Sequence, residues 1–206
     1  EAVGVEHPPQ VKTLKAAVVD RREAMQLLMG YNSFNGYIWN KLFDLQLIRE
    51  NDIRFHADYP ACEDTMFVGS YLYHCSRVCV TEECLYCYRQ VSGGANRGRY
   101  SGRKAYDPKW MSVFEMTEYM ADLYKDDAVT AACRLHEVRE AGIVLRSMEA
   151  AGYHGADHAR LKGILRRGAS LFFRDENSGR SQKLSVLLSC ISPKLELAVW
   201  KLRNRK

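Results

Sequence analysis

Apolar positions recur at helical spacing through most of the chain and alternate only in short stretches. Val18 to Met29 sets Met25, Leu28 and Met29 on one face, with Asp20 to cap or fill the first turn and Gly30 to stop it, which predicts a helix. Tyr37 to Phe43 is short and aromatic-rich and predicts a strand. Leu45 to Asn51 predicts one or two helical turns, and Glu63 to Cys75 a helix with Phe67, Tyr71 and His74 at helical spacing. Two β-prone runs follow, Arg77 to Val80 and Cys84 to Arg89, with Glu82 and Glu83 between them. Ser92 to Lys104 is rich in glycine and cations and reads as a mobile loop. Asp107-Pro108 then opens a strong helix, Asp as N-cap and Pro at its first position, whose buried face is Trp110, Val113, Phe114, Met120 and Tyr124. A long helix runs from Asp127 to Met148 and stops near Gly152. A third begins at Asp157. A fourth runs from about Gln182 toward Trp200 and is interrupted or restarted at Pro193. No internal repeat is present. The expected fold class is α+β, mostly helical, with a few short strands followed by a helical bundle-like extension.

Composition narrows the class without naming a function. A chain of 206 residues fits one domain, or one plus an appendage, and 47% hydrophobic with 27% charged residues is enough to bury a core. The net charge of +5 is uneven: from His158 to Lys206 twelve Lys/Arg stand against three Asp/Glu, so the remainder of the chain is acidic. A basic end fits a polyanion (a membrane surface, a pyrophosphate, a nucleic acid) or a solvated face. No helix-turn-helix or zinc pattern supports nucleic acid, and none is expected as a partner. No apolar run approaches a membrane span, and the polar opening with His7-Pro8-Pro9 carries no secretory signal. Seven cysteines, an odd number without such a signal, predict a reducing cytoplasm. Beginning at Glu1 without a Met, the chain is expected to be either processed or a piece cut from a longer protein, the cut being favoured.

Several clusters could carry chemistry. Cys75, Cys79, Cys84 and Cys87 lie close in sequence, but Cys84 and Cys87 fall in a β-prone run that sends them to opposite faces, so small packing residues are expected there and no metal. Among the histidines only His154 and His158 have ligand spacing, and Gly155 inside it weakens a helical pair. Leu184, Leu187, Leu188, Ile191, Leu195, Ala198, Val199 and Leu202 are ringed by Lys183, Lys194, Lys201, Arg203, Arg205 and Lys206. That is a basic amphipathic pattern suited to core packing or to an anionic membrane surface. Glu63-Asp64 opens a helix, where carboxylates are ordinarily favoured by the helix dipole.

Read together, Gly36-Tyr-Ile-Trp-Asn-Lys-Leu-Phe43, Ile53-Arg-Phe55, Glu63-Asp64 and Leu85-Tyr-Cys-Tyr-Arg-Gln90 resemble, in order and spacing, the second half of a family 2 glycosyltransferase, the inverting GT-A type that builds bacterial polysaccharides. The resemblance covers about residues 18 to 92. It implies a C-terminal half of a GT-A catalytic domain over 16–104, including the basic Gly-rich loop 92–104, preceded by a linker over 1–15 and followed by a helical extension over 105–206. It implies a transferase moving a sugar from a nucleotide sugar to a glycan or lipid-linked acceptor, in the cytoplasm or at the inner face of the cell membrane. By position, Asp64 is the general base that takes the acceptor hydroxyl proton, and Glu63 orients the acceptor or its loop. Trp39 stacks or packs, Asn40 and Lys41 give polar support to the cleft, and Arg89 and Gln90, with the loop after them, meet the diphosphate. Mg or Mn, held with the nucleotide sugar by a D-x-D motif, is implied for the full-length parent. This sequence contains no D-x-D, so no cofactor is expected here, and the chain is expected to be inactive without a nucleotide-binding half. The alternative expectation is a non-enzymatic interaction module or degenerate remnant that uses its basic helical surface.

Overall fold

The computed structural model describes residues 16–30, 34–56, 59–81, 83, 85–87 and 106–204. The order is β1 (Ala17–Val19), α1 (Arg21–Met29), α2 (Leu45–Glu50), α3 (Glu63–His74), β2 (Val78–Val80), a 3-10 turn (Pro108–Met111) that runs into α4 (Ser112–Tyr124), then α5 (Asp127–Ala151), α6 (Ala156–Arg174), α7 (Arg180–Ile191) and α8 (Pro193–Arg203). The protein is mostly helical, and β1 and β2 pair antiparallel with Val18 opposite Cys79.

Local chemistry explains most boundaries. The first helix starts at Arg21, three residues later than its apolar spacing predicts. Asp20 is the N-cap and accepts from the Glu23 amide at 2.8 Å, while the β-branched pair Val18-Val19 joins a ladder with β2 instead. Asp107 caps the turn at Pro108, as expected, and accepts from the Lys109 amide. Gly152 ends α5 in the left-handed region at φ 69°, a conformation glycine adopts without steric cost. Ser192 caps α8 and Pro193 occupies its first turn, so the interruption expected at Pro193 is a break between two helices.

Tyr37 to Phe43 is not a strand; it forms bends and a turn. The Lys41 ammonium gathers the carbonyls of Phe34, Asn35 and Tyr37 within 3.2 Å, which folds the segment back on itself and withdraws those acceptors from any ladder. Leu85 to Cys87 also has no regular structure, so the second β-prone run gives no strand among the described residues. The cysteines expected as packing residues divide: Cys75 is half-buried, Cys79 and Cys87 are exposed, and Cys84 lies outside the described residues. The sheet of two strands covers one face only, and Cys79 lies on the other.

Central helix α5 touches α1, α4, α6, α7 and α8, and is therefore surrounded by other helices. One continuous apolar cluster joins Met25 and Met29 of α1, Met66 and Val68 of α3, Phe114 and Met120 of α4, Leu145 of α5 and Leu161 of α6. All seven methionines of the chain are buried, so the centre is filled by unbranched, adaptable side chains. A smaller cluster of Ile53, Phe67 and Tyr71, with Phe43 edge-on to both rings, fastens α2 and its flanking loops to the outer side of α3. The Tyr71 hydroxyl also accepts from the Asp44 amide at 2.7 Å.

Candidate functional site

Two segments meet at the start of α3. The first is the loop over residues 34–44. Its Lys41 ammonium offers three N–H groups to four acceptors, the three loop carbonyls and Asn40 Oδ1, and lies 5.0 Å from the centre of the Phe34 ring. Asn40 Nδ2 donates to the Phe34 carbonyl as well. Asn35 sits at φ 53°, which asparagine tolerates better than most residues. These ties make the loop a rigid ring without a regular ladder.

The second segment leads into α3 through Cys62 at φ 71°, a left-handed conformation unusual for a residue other than glycine, asparagine or aspartate. Loop and helix touch at Gly36. A Cβ there would lie 2.7 Å from Thr65 Cβ and closer still to its hydroxyl, so only glycine lets the loop lie this close to the first turn of α3.

Asp64 sits beside this contact, half-buried, with Glu63 exposed next to it. A carboxylate in the first turn of a helix is usually favoured as the anion. Asp64 departs from that: burial, and then the neighbouring Glu63 charge, push its pKa up, against the pull of Lys41. Among the described residues no hydrogen bond is donated to its carboxylate. Burial lowers the Lys41 pKa to about 8, against the pull of Asp64. The two groups thus form a desolvated acid–base couple in which each charge supports the other.

Glu63 and Asp64 line a cavity of about 910 Å³, together with Gly36 and Tyr37. Trp39 stands behind Tyr37 and stacks on it at 5.1 Å between ring centres, and on Tyr86 at 4.8 Å on the other side. Tyr37 and Tyr86 are 43% and 54% exposed, so the three-ring stack, with Trp39 covered on both faces, forms a platform that opens to solvent at its two tyrosines. Asn40 and Lys41 brace the loop and do not line the cavity. Arg89, Gln90 and the loop over 92–104 lie outside the described residues.

The cavity is also lined by residues of α5, α7 and α8, and none of the polar ones stands out in the sequence. His136 and Arg139 reach across to the Met29 carbonyl that ends α1, at 3.1 and 3.3 Å. Arg146 pairs with Glu196 of α8 at 2.9 Å, both side chains under a tenth exposed, and lies over the Trp200 ring. Ser185 donates to the same Glu196 oxygen at 2.6 Å. Glu196 Oε2 and Ser189 Oγ are buried with no partner among the described residues. His136, Arg139 and Arg146 are three and seven residues apart, hence on one face of α5. That spacing is the signal that could have marked them.

Three of the thiols are held in the neutral form. Burial pushes Cys75 and Cys190 up and Cys133 to about 12, which keeps them protonated at neutral pH. The one group among the described residues with metal-ligand geometry, Glu149, His154 and His158, does not line this cavity. A Mg or Mn bridging a diphosphate prefers oxygen ligands, so a set with two imidazoles does not fit that role. The fold and cleft define a mostly helical α+β protein with a partly desolvated carboxylate on the wall of a cavity lined by polar and apolar residues. No protein-family model, no curated protein and no solved structure matches the chain.

Proposed function

We propose that the chain is the acceptor-side part of an inverting, GT-A-type glycosyltransferase of family 2, with Asp64 as its general base. The observation that carries the reading is the state of Asp64: on the cavity wall, with its pKa raised by burial and by Glu63, and with no hydrogen bond from a described residue to occupy it. A carboxylate whose pKa is brought toward the working pH accepts a proton more effectively than a fully solvated one. In the proposed reaction the acceptor hydroxyl gives its proton to Asp64 while its oxygen bonds to the anomeric carbon. The bond from that carbon to the nucleotide diphosphate breaks with its electron pair, and the configuration inverts. Glu63, also on the cavity wall, holds an acceptor hydroxyl. The Tyr37–Trp39–Tyr86 platform suits the apolar face of a sugar ring. Among the described residues the one group with metal-ligand geometry lies outside the cleft, and no step runs through a metal bound by this chain.

The donor side belongs, on this reading, to a nucleotide-binding half of the same protein. Leu42, Leu85 and Val18 are 101%, 81% and 65% exposed, a share of apolar surface that fits a further packed layer. The two outer edges of the β1–β2 pair are likewise open among the described residues. The test is transfer of radiolabelled sugar from a panel of nucleotide sugars to glycan and lipid-linked acceptors, by the full-length protein and by this chain. Transfer with inversion by the full-length protein, and none by the chain alone, supports the reading. Transfer with retention would end it.

One observation favours the second reading, an interaction module that works without catalysis. Leu184, Leu187 and Ile191 of α7, and Leu195 and Leu202 of α8, form exposed apolar stripes beside Lys183, Lys194 and Lys201. No helix among the described residues is long and apolar enough to cross a membrane. The stripes fit attachment to an anionic lipid surface, which also suits an enzyme with a lipid-linked acceptor. Sedimentation with vesicles containing phosphatidylglycerol, compared with neutral vesicles, distinguishes the two: binding without any transfer activity favours the module.

A further inference from the structure

We propose that Glu149, His154 and His158 form a binding site for a zinc-class transition metal at the turn between α5 and α6. The inference is independent of the transferase reading. Its basis is the way the turn is built. Glu149 lies in the last turn of α5, Gly152 reverses the chain in the left-handed region, and α6 begins at Ala156. The reversal is locked by the Tyr153 amide donating to the Met148 carbonyl at 2.9 Å. It folds His154 of the connection and His158 of the first turn of α6 back over the Glu149 carboxylate.

The spacing that looks poor for a single helix is therefore good for a helix–turn–helix corner. His158 Nε2 is 2.8 Å from Glu149 Oε1, and His154 Nδ1 is 3.9 Å from the same oxygen. The three ligand atoms all lie within 4.8 Å of one another. Zinc bound tetrahedrally at about 2.0–2.2 Å sets neighbouring ligand atoms roughly 3.3–3.5 Å apart. The observed triangle brackets that value, and small side-chain rotations bring all three atoms onto one ion. The two imidazole rings meet edge to face with centres 5.0 Å apart and do not lie stacked on each other.

Burial and charge favour occupancy. The Glu149 side chain is 4% exposed, His158 13% and His154 50%, so the anion forms the back of the site and the front opens to solvent. A buried carboxylate with one hydrogen-bond partner is incompletely compensated, and a divalent ion compensates it fully. The carbonyl end of α5 adds negative potential. Asp157, the other acid at the corner, accepts from Tyr106 at 3.1 Å and from Tyr153 at 3.5 Å, so it is engaged elsewhere. Two imidazoles and one carboxylate select zinc, cobalt, nickel or copper over magnesium or calcium, and leave a fourth position for water or an exogenous ligand.

The test is calorimetric titration of the reduced protein with zinc, with cobalt absorption spectra as a second reading. One equivalent is expected to bind and to raise the melting temperature, while magnesium at the same concentration does neither. Cobalt is expected to give weak ligand-field bands without the strong thiolate charge-transfer band that the exposed Cys79 and Cys87 would produce. Glu149→Gln and His154→Ala are each expected to weaken binding by more than the roughly tenfold to hundredfold typical of losing only an outer partner of a ligand. His154 is half exposed and makes no contact that the fold depends on, so His154→Ala keeps the test decisive even if variants at Glu149 or His158 fold poorly. Absence of binding, unchanged binding in folded His154→Ala, or a thiolate band would each overturn the proposal.

Discussion

The start of α3 and the helices α5 to α8 are held together by different physics. The helical part is fastened by burial: Leu145, Met148, Leu161 and Leu165 are almost wholly out of water, Phe114 of α4 joins the same apolar cluster, and Asp126, Gly152 and Ser192 cap α5 and α8. The α3 corner is fastened by polar ties and unusual backbone. Asn35, Asp52 and Cys62 have positive φ, Lys41 is wrapped in carbonyls, and Leu42 is fully exposed. Apolar packing makes a scaffold that tolerates little change in volume, whereas polar ties hold chemistry at the surface where a substrate can reach it. Under the proposed function, the contrast puts stability in the helices and the chemistry at the corner. Variants that affect both equally would break it.

The largest loss of stability is expected in the scaffold. Phe114→Ala empties a fully buried ring site and is expected to cost about 3–5 kcal/mol in urea unfolding, with the aromatic platform at Tyr37 and Trp39 unchanged in those molecules that fold. A cost under about 1 kcal/mol would show that the apolar cluster is not the main support.

A middling loss is expected at the junction. Gly36→Ala drives a methyl group into Thr65, and relief requires the loop to lift from α3, at about 1–3 kcal/mol. The expected signature is local: faster amide exchange over 34–41 and at the start of α3, with α5 and α6 unaffected. Uniformly faster exchange across α5 would contradict the separation of the two regions.

The smallest effect is a pH dependence at Lys41. Its folded pKa of about 8 lies below its unfolded value of 10.5, so between these values the unfolded chain holds the extra proton. The cost of burying the charged amine is full below pH 8 and is relieved as pH rises toward 10.5. The stability of the native chain relative to Lys41→Met is therefore expected to rise from pH 8 to pH 10. Melting temperatures of both proteins at the two pH values measure it, and a constant difference would place the Lys41 amine in water.

How much was legible follows from where the decisive contacts lie in sequence. Helix ends were legible because their signals are local: Asp107-Pro108, Gly152, and Ser192 before Pro193 each act within a few residues. The segment Tyr37 to Phe43 was misread because its aromatic content favours strands, while the Lys41 ammonium that curls it acts through loop carbonyls four to seven residues back. Val18 and Val19 continue the helical period of α1, but pairing with a partner sixty residues away overrides it. Asp64 was singled out only through the family resemblance, since an acidic pair at a helix start is unremarkable by itself. The polar face of α5 went unread because α5 is surrounded, and only the packing of α1, α7 and α8 reveals which of its sides borders a cavity.

The central claim is that Asp64 takes the acceptor proton, and it is tested most directly by Asp64→Asn in the full-length protein. The substitution keeps the size of the side chain and removes the base. Sugar transfer is expected to fall about a hundredfold to ten-thousandfold, with donor binding and melting temperature essentially unchanged. A well-folded Asp64→Asn protein that transfers at near-normal rate would contradict the account and return the Glu63-Asp64 pair to an ordinary helix start.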